Sequence, residues 1–386
     1  MPNNIMSRET AKKRKRDGRA GEEGGGGGAI MEKMMAEVKA QMESRLDAMQ
    51  GRLSSMDELE RRCQSLESSL SDTRVECQFL KARCESLERS VQILTKDTKW
   101  EYAAPSIPNS HWIARGFDEN YIEGMEVFLK RIKKYTCALR RGACGEDIGL
   151  GGFDEGDDTV LLHDDALLPH WKEFANALQL YQNPEAFHRL SIYNMQLSSS
   201  VIGLLTPALK DKPIKAFYLD RNGFVNPREG IEFAIEIIQS NQKLKQFGWA
   251  NNPIENMADA NHLVEVIISH PLIKSIRLEN CFGGNVDAYK VLCSLLASNK
   301  TFATIIFNSN NLRTSGGTEI PSFLATNPSL VHLFLANNHL DDNDAVMIAH
   351  ALKRNTNLRR LRLGQNDITD IGHDALRHVD VFFEEA

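Results

Sequence analysis

Three groups of residues in this 386-residue chain have the types and spacing that chemistry would need. His163-Asp164-Asp165 sets an imidazole beside two carboxylates, the raw material for acid and base work or for holding a metal. Seven cysteines, at 63, 77, 84, 137, 144, 281 and 293, could supply thiolates, and five glycines in a row, Gly24 to Gly28, could wrap a phosphate. None has the setting its chemistry requires. The cysteines form no C-x-x-C pair, lack metal-ligand spacing with histidine and are odd in number, which argues against both a zinc site and a disulfide framework. The glycine run lacks the strand-to-helix context of a phosphate cradle, and H-E-x-x-H, G-x-S-x-G and G-x-x-x-x-G-K-[ST] are absent. Loop or capping roles are therefore expected for His163 to Asp165, and the chain reads as non-enzymatic, without cofactor or metal.

Charge points to partners more than to reactions. The formal net charge is only -6, yet Lys12, Lys13, Arg14, Lys15 and Arg16 form a basic run that fits a nuclear-import signal. No apolar run approaches the ~18 residues of a membrane-spanning helix. A soluble intracellular protein, nuclear or cytoplasmic, is expected, with no membrane contact.

The residues best placed to meet a partner lie in a repeat. Seven segments begin at Phe187, Ile214, Leu244, Ile273, Phe302, Leu330 and Leu358, spaced 27, 30, 29, 29, 28 and 28 residues apart. Each reads L-x-x-L-x-L-x-x-N-x-L, as in LVHLFLANNHL and LRRLRLGQNDI, and a helical stretch follows. Offsets +3 and +5 are apolar throughout, an alternation that makes a short strand with one buried face. Offset +8 is Asn222, Asn252, Asn310, Asn338 and Asn366, with Met195 and Cys281 as exceptions; a buried amide there can bond the backbone of a neighbouring coil. Asn241, Asn299, Asn327 and Asn355, three residues before a strand, are expected as left-handed helix caps. Offsets +2, +4, +6 and +7 should face solvent on the strand side. They supply the expected partner-binding face: Tyr193, Tyr218, Asp220, Arg221, Arg277, Glu279, Ile306, Asn308, His332, Phe334, Arg360 and Arg362, rich in the aromatic and arginine side chains that dominate interfaces.

This pattern resembles the ribonuclease-inhibitor-type leucine-rich repeats. The resemblance covers about half the chain and implies an α/β solenoid of about seven strand-helix repeats of 27 to 30 residues, with parallel strands on the concave face. Members include ribonuclease inhibitor, the ligand-sensing region of NOD-like receptors, the GTPase-activating protein of Ran, and tropomodulin, so fold alone does not select a function. This array is shorter and poorer in cysteine than the inhibitor, lacks the nucleotide motif of NOD-like receptors, and lacks the long acidic tail of the Ran activator.

Upstream the pattern changes. Residues 1–29, basic and glycine-rich, are expected to be disordered. Residues 30–97 read as a coiled coil, with Leu59, Leu66, Leu80, Leu87 and Leu94 at heptad d positions and Cys63, Leu70, Cys77, Cys84 and Val91 at a; Thr73 alone interrupts the d series. Met35, Val38 and Met42, then Leu46, Met49, Leu53 and Met56, extend the rhythm through one stutter and one stammer. A helix from Met31 to Leu94, roughly 95 Å long at 1.5 Å per residue, leaves a narrow apolar seam that asks for a partner, and a homodimer is expected. Residues 98–156 read as a linker carrying an amphipathic basic helix (119–141) and an acidic loop; nucleic acid is not an expected ligand. The solenoid, with an N-terminal capping half-repeat, is expected over 157–386. The functional reading is an adaptor in which coiled-coil association presents leucine-rich surfaces to a protein partner, with small-GTPase activation, as by the Ran activator, as the alternative. Cytoskeletal capping, as by tropomodulin, is a third possibility.

Overall fold

The computed structural model describes residues 27–97, 100–142, 147–153, 159–181, 188–298, 300–379 and 382–384. The basic run Lys12 to Arg16, most of the tail expected over 1–29, and much of the acidic loop fall outside these. The chain divides into two units, Met1–Trp100 and Glu101–Ala386.

In the first unit a single helix, α1 (Gly27–Asp97), runs for 71 residues. It starts inside the glycine run, so the tail expected over 1–29 ends at least three residues early. Proline is absent and straight-chain residues dominate, which lets the helix continue past Gly51 despite that residue's cost of ~1 kcal/mol relative to alanine. The apolar seam is bare: Met42, Leu46, Met49, Leu53, Met56, Leu59, Leu66, Leu70 and Leu80 are all more than half exposed, and Cys63, Cys77 and Cys84 are exposed as well. The side chains of Leu87, Val91 and Leu94 lie outside the described ones.

The second unit begins with α2 (Asn109–Ile113), α3 (Glu119–Arg140), β1 (Ile148–Leu150) and a short 3-10 turn, Asp165–Leu167, leading into α4 (Leu168–Leu180). Strand and helix then alternate: β2 (Arg189–Tyr193), α5 (Ser199–Leu209), β3 (Ala216–Asp220), α6 (Pro227–Ser240), β4 (Gln246–Ala250), α7 (Met257–Ser269), β5 (Ser275–Glu279) and α8 (Ala288–Ala297). The series closes with β6 (Thr304–Ile306), α9 (Glu319–Ala325), β7 (His332–Phe334), α10 (Asp342–Leu352), β8 (Arg360–Arg362), α11 (Asp370–Leu376) and β9 (Phe382–Glu384). Among the described residues the nine strands form one sheet in the order β1 to β9, and every neighbouring pair is parallel. This is a leucine-rich-repeat solenoid: parallel strands line the concave side, each connected to the next by a helix.

One stretch differs from expectation, and one strand was not foreseen. The stretch 98–156, expected as a linker, is part of the folded unit: β1 pairs with β2, matching Ile148 to Leu190 and Leu150 to Ile192. α3 buries Met125, Phe128, Ile132 and Leu139 in the same core. Its basic face is engaged locally, with Arg131 donating to the carbonyls of Gly151 (2.9 Å) and Phe153 (3.2 Å). At the other end, Phe382–Glu384 adds a ninth strand beside β8, where the sequence shows only two phenylalanines and no repeat.

The asparagine ladder holds the coils in step. Nδ2 of Asn222, Asn252, Asn310, Asn338 and Asn366 donates to the carbonyl at offset +5 of an earlier strand: Ile192 (3.0 Å), Leu219 (3.2 Å), Leu278 (2.7 Å), Phe307 (3.0 Å) and Leu335 (2.9 Å). The oxygens accept from turn amides of the preceding coil, as Asn252 does from Asn222 N (2.7 Å) and Asn338 from Asn310 N (2.9 Å). Buried backbone groups are thus paired where the chain leaves each strand. At Cys281, buried to 2% exposure, no amide is available and the side-chain ladder skips a rung.

The second asparagine series behaves differently from expectation. Asn327 is left-handed (φ 53°), but Asn241 caps α6 at φ -97° and Asn355 is not among the positive-φ residues. Asn241 and Asn355 are buried and reach back one repeat, Nδ2 donating to Leu209 O (3.3 Å) and Leu324 O (2.9 Å). Each also bonds locally, Asn241 Nδ2 donating to Ile237 O (2.9 Å) and Asn355 Oδ1 accepting from Leu358 N (2.9 Å), so these amides tie helix ends together as well as closing their own turns. Asn299 lies outside the described residues.

Candidate functional site

Strand register turns the predicted face into contiguous rows. The +4 row runs Ser191, Tyr218, Gly248, Arg277, Ile306, Phe334, Arg362, each paired with the next across the sheet. Tyr218, Arg277, Ile306, Phe334 and Arg362 are half-buried there, as are Asp220, Arg221, Glu279, Asn308 and His332, while Arg360 is exposed. Tyr193 departs from the expectation. It is 8% exposed: its hydroxyl accepts from Arg131 Nη1 at 2.9 Å, and its ring fills the space left by Gly151, where a Cβ would approach to 2.4 Å. Strand β1 and α3 cover the end of the sheet on which Tyr193 lies, so it serves the cap and not the open face.

The open face has three chemical zones. At the N-terminal end the Arg189 guanidinium lies 4.6 Å over the Tyr218 ring, and the Tyr218 hydroxyl donates to Gln246 Oε1 (2.8 Å). Gly248 makes this possible, since a Cβ there would come within 2.3 Å of Tyr218 Cδ1. In the centre Arg277 bridges two acids, with Nη1 3.2 Å from Asp220 Oδ2 and Nε 2.5 Å from Glu279 Oε2. Asn251 and Asn308 add bonds to the free oxygens of Asp220 (2.7 Å) and Glu279 (3.2 Å). Such a network presets a polar surface before any partner arrives. At the C-terminal end Arg362 stacks 4.6 Å over the Phe334 ring, with His332 beside it at 6.1 Å between ring centroids. Burial, and then the nearby Arg360 charge, hold the His332 imidazole below its ordinary pKa.

Two rows were missed or misread from sequence. Offset +7 is left-handed in all seven repeats: Asn194, Arg221, Asn251, Asn280, Ser309, Asn337 and Gln365 have φ between 46° and 59°. Four of the seven are asparagine, the non-glycine residue that tolerates this region best, so the composition of that row is first a backbone requirement. Arg221, expected only as a partner contact, also donates to Asn194 Oδ1 at 3.4 Å. Offset +1 places Lys215, Lys245 and Lys274 on three adjacent coils, linked through the backbone by Lys245 N to Lys215 O (2.7 Å) and Lys274 N to Lys245 O (2.9 Å). Aligning the repeats would have shown this basic ledge, opposite the rim that holds Asp220 and Glu279.

Within the triplet that has the makings of a catalytic group, Asp164 has a structural role. Asp164 is 6% exposed, accepts from Ala166 N at 2.8 Å, lies 3.0 Å from His111 Nε2 and forms an ion pair with Arg115. It caps the 3-10 turn and ties α2 to the capping region. Among the described residues no group of three or more His, Cys, Asp or Glu side chains could hold a metal, and no helix is long and apolar enough to cross a membrane.

No family model and no curated protein matches this chain. Solved structures similar to it include an internalin from Listeria monocytogenes, at 15% identity and a TM-score of 0.35, covering 65% of this chain and 64% of that one, under two thirds of its length. Rad7 in complex with Elc1 from yeast is similar at 15% identity and a TM-score of 0.35, covering 82% of this chain and 85% of that one. At these scores neither likeness bears on function, and the fold assignment rests on the strand order and ladder described above.

Proposed function

We propose that this protein is a non-enzymatic adaptor whose strand face binds a protein partner and whose long helix brings two copies together. One observation carries the reading: Tyr218, Arg277, Ile306, Phe334 and Arg362 fall in a single registered row, with rings and guanidinium groups already stacked or paired. Pre-ordered aromatic and arginine side chains lose little freedom on binding, which is what makes them effective anchors. The basic ledge along one rim favours a partner that carries acidic groups at the matching edge, held in one orientation. Two linked copies would raise the effective affinity for a multivalent partner. The repeat class remains the ribonuclease-inhibitor type on the strength of its 27 to 30 residue spacing.

The test is affinity capture with the full chain and mass spectrometry, run in parallel with the variant carrying Tyr218→Ala, Arg277→Ala and Phe334→Ala. Loss of the captured partner from a variant that still unfolds cooperatively supports the reading; undiminished capture overturns it. For the basic run, deleting residues 12–16 from a fluorescent fusion is expected to shift it out of the nucleus, and an unchanged distribution would refute an import role.

A further inference from the structure

Charge along α1 specifies more than self-association. Residues one before an a position and one after a d position flank the seam, and in a parallel, in-register pair each former residue meets the latter type five positions further along the second helix. The described combinations of opposite sign are Arg52 with Asp57, Arg62 with Glu67, and Glu76 with Lys81, all on exposed parts of the helix. Arg45 with Gln50 and Ser69 with Arg74 each set one charge against an uncharged side chain, and none of these combinations sets like charges together. Two-fold symmetry repeats every pair on the other side of the seam.

The opposite orientation fits worse. Running the helices in opposite directions with their seams superposed at Cys63, near the middle of α1, sets Arg62 beside its own copy, Glu60 beside Glu67, and polar Thr73 against Leu53. In parallel register Thr73 meets Thr73, leucine layers meet leucine layers, and the breaks in the repeat at 42–46 and 56–59 fall at equal heights.

We infer that α1 pairs with a second copy of this chain as a parallel, in-register two-stranded coil in which Cys63, Cys77 and Cys84 each face their own counterpart. This rests on the self-association reading above. Facing thiols on one seam are placed for oxidation: each pair gives up two protons and two electrons and forms one S–S bond, with copper phenanthroline as the electron acceptor.

The experiment oxidises the full-length chain with copper phenanthroline, digests it, and identifies linked peptides by mass spectrometry, with light scattering on the untreated protein. The expected result is a dimer mass with Cys63–Cys63, Cys77–Cys77 and Cys84–Cys84 links. A dimer yielding Cys63–Cys63 alone, or links between different positions, overturns the parallel register and leaves self-association standing. A monomer mass overturns both. Independently, Arg62→Glu should raise the dimer dissociation constant about tenfold by creating like-charge pairs, and adding Glu67→Arg should restore it; a double variant as weak as the single one would also overturn the register.

Discussion

Asn338→Ala should destabilise the solenoid by about 3 kcal/mol, near the top of the ordinary range for one substitution. The amide works on two coils at once: Nδ2 donates to Phe307 O and Leu335 O, both at 3.0 Å, and Oδ1 accepts from Asn310 N (2.9 Å) and Leu312 N (3.0 Å). With Asn338 only 4% exposed, alanine leaves two amide donors and one remote carbonyl without this partner. Each such buried group costs about 1 to 3 kcal/mol. The low end applies, because the vacated space is polar and can admit water, and three groups then give about 3 kcal/mol. Asn366 makes the analogous bond to Leu335 O (2.9 Å) but is half-buried, so Asn366→Ala should cost about 1 kcal/mol. Urea unfolding followed by far-ultraviolet circular dichroism, at one protein concentration for all variants, measures both. If the two variants shift the midpoint equally, or Asn338→Ala costs less than about 1 kcal/mol, the ladder is not what holds the coils together.

Gly248→Ala should push the Tyr218 ring off its seat and break its bond to Gln246, lowering partner capture several-fold while costing only about 1 kcal/mol of stability; capture equal to the parent protein's would refute the role given to that glycine. Asp164→Ala should cost about 2 kcal/mol by removing the turn cap and leaving Arg115 without its acid, read from the same urea curves. Stability should also fall as pH drops from about 7 to 5, because burial holds the His170 and His270 imidazoles below their ordinary pKa. The unfolded chain then takes up protons that the folded one does not, so stability is full above an ordinary histidine pKa of about 6.5 and declines beneath it, by at most about 1.4 kcal/mol per pH unit for each group. His270→Gln should flatten that slope, and a thermal-shift series that leaves it unchanged would show that other groups govern the acid limb.

The repeat was legible because buried positions repeat with few exceptions: offsets +3 and +5 are apolar in every copy, and these dictate strand, register and core together. What resisted reading were elements that borrow their order from a neighbour. Ile148-Gly149-Leu150 becomes a strand only because β2 offers an unpaired edge, and Phe382–Glu384 does the same against β8. Tyr193 carries the same local pattern as its equivalents, and only the arrival of Arg131 and Gly151 from distant sequence buries it. The left-handed +7 row was visible as an excess of asparagine, but one residue type can mean a backbone angle, a cap or a contact, and sequence alone left it read as contact.

The missing rung at Cys281 bears on how the array comes apart. A solenoid behaves as a chain of nearest-neighbour couplings, and a run of similar couplings melts as one block while an unlike one marks a seam between blocks. Between β4 and β5 the buried ladder has no side-chain amide, and the coils are joined by a five-residue strand pairing, by Asn280 Nδ2 donating to Asn251 Oδ1 (2.7 Å) on the exposed turn, and by the bond from Ile254 N to Cys281 O (2.7 Å). The joint therefore depends on its strand pairing and on the Arg277–Asp220 ion pair that crosses it, with Tyr218 on its N-terminal side and Phe334 on its C-terminal side. A partner lying across both would act as a splint over the joint.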